Sequence, residues 1–179
     1  MLIRALLLLF TTLASGSAFA QCDAMPWKFG MSPSEVAAIK ECGPYKSFSN
    51  GDLETYAGIF NGKEENFQFF FQDGKLRRIG IYLHESQDSA AGVEEWLALY
   101  QTLVGLFGDI ETPGNVAPQD DSSRAAFKAK ALETVQSAGK TQMAPLTQPK
   151  DAFVFSSFMR KELGDENHYY VVLYFDARP

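Results

Sequence analysis

From residue 54 to residue 84 the chain alternates apolar and polar positions with a period of two, interrupted twice by short turn pairs. Asn61-Gly62 and Asp73-Gly74 accept the positive φ angles of tight hairpins, so the pattern predicts a three-strand meander over 54–61, 64–72 and 75–84. In the second strand Phe67, Phe69 and Phe71 alternate with Gln68, Phe70 and Gln72. In the third, Ile79, Ile81 and Leu83 alternate with Arg78, Gly80, Tyr82 and His84. Such alternation means that one sheet face is covered and the other wetter.

The period then becomes helical. Val93, Trp96, Leu97, Tyr100, Leu103, Val104 and Phe107 share one face of a helix over 89–107, which Gly108 ends. Residues 109–123 carry Pro113, Gly114 and Pro118 among polar residues and read as a loop. A weaker helix is predicted over 124–137, capped by Ser123 and closed by Gly139, with Phe127, Ala131, Leu132 and Val135 as its apolar positions. A proline-interrupted connection over 140–150 leads to two strands, about 152–160 and 168–176. Tyr169, Val171, Leu173 and Phe175 form one side of the last strand, and Tyr170, Val172 and Tyr174 the other.

Ahead of the meander, Ser32 is placed as a helix N-cap with Glu35 completing a capping box and Pro33 at the first helical position. Met31 and Val36 flank that start as a hydrophobic staple, and Gly43-Pro44 stops the helix after Cys42. The order α, βββ, α, α, ββ predicts an α+β fold: an antiparallel sheet, meander plus C-terminal hairpin, with helices on one face. One domain over 21–179 is expected, and helix precedes strands in both 21–88 and 89–179, as in a tandem of α-βββ halves.

The string Phe29-Gly30-Met31-Ser32-Pro33-Ser34-Glu35-Val36, followed by Cys42-Gly43-Pro44, resembles a helix found in small envelope proteins. These are the SmpA/OmlA outer-membrane assembly lipoproteins and the β-lactamase-inhibitor proteins that share a helix-then-three-strand module. The resemblance covers about 60 residues and implies a non-enzymatic protein that binds other proteins.

Residues 1–20 change where this domain is expected to work. Arg4, the apolar run Ala5–Leu13 and the A-x-A site Ala18-Phe19-Ala20 read as a signal peptide cleaved before Gln21. The run is about half of the ~20 residues a membrane span needs. Phe19-Ala20-Gln21 ahead of Cys22 does not fit a lipidation signal, which wants small residues up to the cysteine. A periplasmic or secreted protein is expected, with Cys22 and Cys42 as a structural disulfide closing a loop of ~20 residues. Losing Arg4 takes the net charge from −6 to −7. That acidity disfavours nucleic acid and anionic lipid surfaces as partners. No membrane span is expected in the mature chain, and another envelope protein is the expected partner; the pattern gives no oligomeric state.

Candidate chemistry is sparse. His84-Glu85 continues to Asp88 rather than to a second histidine, so no H-E-x-x-H metal motif forms. No G-x-S-x-G string or glycine-rich phosphate loop follows a strand, and no cofactor is expected. A hydrolase of wall or glycan would have to pair distant carboxylates, such as Glu64-Glu65 and Glu94-Glu95, or use His84 or His168. The feature that departs from a plain design is aromatic density. By strand parity Phe70, Tyr82, Tyr170 and Tyr174 project away from the helices, with Gln68, Gln72, Arg78 and His84 among them, as a candidate protein-binding patch. The pattern allows either an open face or one covered by 109–123 or the second helix.

Overall fold

Asn61 and Gly62 take φ angles of 49° and 77°, and Asp73 and Gly74 52° and 69°, so both predicted hairpins close through left-handed turn residues. The strands they join are the inner members of a larger sheet. In the computed structural model, which describes residue 22 and residues 25–178, eight strands are present. They are β1 (Tyr45–Ser47), β2 (Leu53–Phe60), β3 (Lys63–Gln72), β4 (Lys75–Ser86), β5 (Ile110–Glu111), β6 (Lys140–Pro145), β7 (Ala152–Leu163) and β8 (Glu166–Ala177). The α-helices are α1 (Pro33–Ala37), α2 (Ser89–Phe107) and α3 (Asp121–Ala138). The expected cleavage site lies outside the described residues.

The sheet runs β1-β2-β3-β4-β8-β7-β6-β5, antiparallel at every pairing. Strands β1–β4 make one half and β5–β8 the other, joined where Ile81 pairs with Leu173. The fold is therefore α+β with an open antiparallel sheet, as the element order predicts. β1, β5 and β6 were not predicted. The first two are only three and two residues long, and β6 is KTQMAP, whose Pro145 reads as a breaker. In the sheet its Thr141, Met143 and Pro145 are buried, while Lys140 and Gln142 face out.

Two helix boundaries differ from expectation. α1 forms the predicted capping box, Ser32 N–H donating to Glu35 at 2.7 Å and Glu35 N–H to Ser32 Oγ at 3.3 Å. It ends at Ala37, five residues short of Cys42, because Ile39 takes a non-helical ψ of 81°; a 3₁₀ turn covers Lys40–Cys42. α3 is capped by Asp120 rather than Ser123. Ser123 is instead the reciprocal partner at the third helical position, its N–H donating to Asp120 Oδ1 at 2.7 Å.

One layer of apolar side chains holds the helices to one sheet face. Trp96, Leu99 and Leu103 of α2 and Phe127, Ala131 and Val135 of α3 pack with Phe67, Phe69, Ile79, Ile81, Phe158, Val171 and Leu173 of the sheet. At the N-terminal end Trp27 lies 4.7 Å from the Phe69 ring centre and 5.1 Å from that of Phe67. Cys22 and Cys42 form a disulfide with Cα atoms 5.2 Å apart, both buried in this layer. Among the described residues no helix is long and apolar enough to cross a membrane.

Candidate functional site: the open face of the sheet

With the helices on one side, the parity of each strand decides what the other side presents. Phe70 pairs with Arg78, Gly80 with Tyr174, and Tyr82 with Val172, which places the side chains of Phe70, Arg78, Tyr82, Val172 and Tyr174 away from the helices. β7 adds Phe153 opposite Asp176 and Phe155 opposite Tyr174. Gly80 lets these rings come together: a Cβ there would lie 3.2 Å from Tyr174 and 3.3 Å from Phe70, so the rings would have to shift by a few tenths of an ångström.

At the centre stands a guanidinium set over two rings and paired with a carboxylate. Arg78 donates from Nε to Asp176 Oδ1 at 2.6 Å and from Nη2 to Oδ2 at 2.7 Å. Its Cζ lies 5.1 Å from the Tyr174 ring centre and 5.5 Å from that of Phe155, and those two rings stack at 5.0 Å. The fork to Asp176 raises the Arg78 pKa above its ordinary value. Toward the other end, Tyr82 meets Tyr170 edge-on at 6.4 Å, and Lys161 Nζ sits 5.3 Å over the Tyr170 ring. Burial, reinforced by neighbouring Tyr174 and Glu85, pushes the Tyr82 hydroxyl well above the ordinary tyrosine value. Burial likewise raises Tyr174, and raises Tyr170 together with the nearby Glu85 carboxylate. These tyrosines are therefore neutral hydroxyl donors throughout the physiological range.

Among the described residues no helix packs on this face, and the rings crowd one another instead. Phe70, Tyr82 and Tyr174 are half-buried, and Tyr170 is 7% exposed beneath Lys161, while Phe153 is 46% exposed. Three cavities open along the face. The largest, about 680 Å³, is lined by Phe153, Phe155, Asp176, Gln142 and the turn over 112–115, so part of the 109–123 segment rims the face. The next, about 480 Å³, borders Phe70 and Arg78, and the third, about 270 Å³, borders Tyr56 and Tyr82.

His84 departs from the predicted patch. The β4–β8 register shifts between Tyr82 and His84, so His84 pairs with Val171, a core residue, and turns to the helix side. There its ring lies beside Gly92 of α2 and its Nε2 is 2.9 Å from Ser86 Oγ. Phe153, Phe155 and Asp176, which complete the central stack, were not among the predicted site residues. Phe153 and Phe155 alternate with Val154 and Ser156 and precede Phe158, so apolar residues fall on both parities of β7. Only the pairing with β8 tells the faces apart.

Of the carboxylates considered for hydrolysis, one from each pair meets on the helix side, while Glu64 borders the cavity beside Tyr56 and Tyr82 and Glu94 is bound by Lys128 at 2.8 Å. Glu65 of β3 faces Glu95 of α2, and burial followed by the Glu95 charge raises its pKa. The cavity between them is about 60 Å³, well below the ~300 Å³ at which ligand sites begin. His168 lies 3.7 Å from Glu166 at the start of β8. Among the described residues no three His, Cys, Asp or Glu side chains cluster as a metal site would require. Compared with known proteins, the chain matches no family model, curated sequence or solved structure.

Proposed function

We propose that this chain is an exported, non-enzymatic binding module of the cell envelope, inhibitor-like in action, which grips a partner protein through the open sheet face. The observation that carries the reading is the Arg78–Asp176 pair set against Phe155 and Tyr174. Arg, Tyr and Phe are enriched where proteins grip proteins, and a guanidinium pre-oriented by a carboxylate loses little freedom on binding. A face with several half-exposed rings, and no helix over it among the described residues, is the kind of patch that marks an interaction site. The Cys22–Cys42 disulfide supports a periplasmic or secreted location, as does the signal-like pattern of residues 1–20.

The test is capture from envelope extract on the immobilised, oxidised chain, followed by affinity measurement on the retained protein. Tyr174→Ala and Phe155→Ala should each weaken binding by at least ~tenfold, the usual size of an interface anchor, with little change in thermal midpoint. Capture indifferent to both substitutions would overturn the reading. So would turnover of peptidoglycan or a glycoside that is lost on replacing one carboxylate or His168.

A further inference from the structure

A β-bulge brings two consecutive arginines to one side of the sheet. Phe70 pairs with Arg78 but Phe71 pairs with Leu76, which leaves Arg77 as the extra residue of β4. Arg77 and Arg78 then line the 480 Å³ cavity together with Arg178, just past the end of β8; Phe70 and Asp176 also face it. The whole sequence holds six arginines, in a chain of net charge −6, and three of them meet here.

Among the described residues that line the cavity, one carboxylate faces three guanidinium groups and does not balance them. Asp176 has both oxygens engaged by Arg78. Arg178 is anchored by its Nε donating to the Ala152 carbonyl at 3.2 Å, which leaves its two terminal nitrogens without a partner among the described residues. Arg77 is exposed and takes part in no ion pair among the described residues. Guanidinium groups present parallel N–H donors in a fork that matches the oxygens of a carboxylate or phosphate. The cavity is far larger than a bare oxyanion and lies within the ~300–1,000 Å³ of small-molecule sites, with the Phe70 ring as an apolar wall.

We infer that this cavity is an oxyanion site for a small organic acid or phosphate ester, whose charge meets Arg77 and Arg178 while its apolar body rests on Phe70. The inference does not depend on the open face docking a protein. The test is a titration of the oxidised chain with phenyl phosphate, benzoate and inorganic phosphate, followed by backbone amide NMR, with sodium chloride at matched ionic strength. Saturable shifts at Phe70, Arg77 and Arg178 are expected with at least one aromatic probe, and the tighter of the two identifies the oxyanion class. In R77A/R178A affinity should fall at least tenfold with the thermal midpoint unchanged; Arg78 is kept so that the aromatic stack persists. Shifts that follow ionic strength alone, or an affinity that R77A/R178A leaves unaltered, would overturn the site. Inorganic phosphate binding as tightly as both aromatic probes would remove the apolar body from the inference.

Discussion

Arg78 has two kinds of partner at once, a carboxylate and a pair of ring faces, and lysine can replace neither. An ammonium keeps the charge but has no planar face, so it cannot form the two-pronged fork to Asp176 while meeting the rings of Tyr174 and Phe155. Because the Arg78 and Asp176 side chains are 42% and 26% exposed, the pair contributes only about 0–1 kcal/mol to folding. Arg78→Lys should therefore shift the thermal midpoint little, and partner affinity, read by calorimetry, should fall by about tenfold. Glu65 behaves in the opposite way. Its folded pKa is raised above 4.5 by burial and by Glu95, so its contribution to stability is present at low pH and is lost as pH rises through the folded value. Glu65→Gln should raise the thermal midpoint at pH 7 and have almost no effect at pH 4, and a pH series of melting curves checks the sign. Much of the face was legible residue by residue, since Phe70, Tyr82, Tyr170 and Tyr174 follow from strand parity. His84 was lost because a bulge inserts one residue and reverses parity without any mark in the sequence.

Among elements, α2 was the most legible in extent, since its bounds and its Gly108 stop match the pattern, but its face was read only in part. Leu99 is buried in the core while Val104, placed on the apolar face, is 39% exposed, because the stripe toward the sheet is centred on Trp96, Leu99 and Leu103. Its two interior glycines nonetheless have opposite roles that only packing reveals. A Cβ on Gly92 would lie 2.9 Å from the Phe158 ring, whereas one on Gly105 would meet nothing within 4 Å. Alanine is favoured over glycine by about 1 kcal/mol inside a helix. Gly105→Ala should thus stabilise by about that amount in denaturant titrations. Gly92→Ala should destabilise by about 1–3 kcal/mol, because α2 must lift away from the sheet to admit the methyl group. The missed strands have a physical reason too: β5 and β6 carry too few apolar residues to show a period, and their neighbours in space, not in sequence, make them strands.

For the whole molecule, the order of strands was the least legible property, because nothing local says that β8 returns to lie beside β4. That seam joins the two halves, and it rests on Ile81 and Leu173, both fully buried. Ile81→Ala or Leu173→Ala should each cost about 2–5 kcal/mol of folding free energy. Equilibrium unfolding should remain a single transition by fluorescence and circular dichroism, since one apolar layer runs through both halves. The same substitutions should leave partner affinity unchanged under conditions where the variants are folded, which separates the core from the open face.

β1 covers β2 only from Leu53 to Thr55, so the rest of that strand lies at the rim of the sheet. Residue 22 reaches this rim: the Ile59 N–H donates to the Cys22 carbonyl at 3.0 Å, and the bond to Cys42 keeps it there. An unsheltered strand edge is a template for pairing with another chain. The disulfide should thereby shield this edge from a second chain, in addition to the ~3 kcal/mol that closing a loop of this length contributes. In a reducing compartment the chain should gather into β-rich assemblies while most molecules are still folded. Light scattering that rises with reductant well below the thermal midpoint, and stays flat for the oxidised protein, is the expected record.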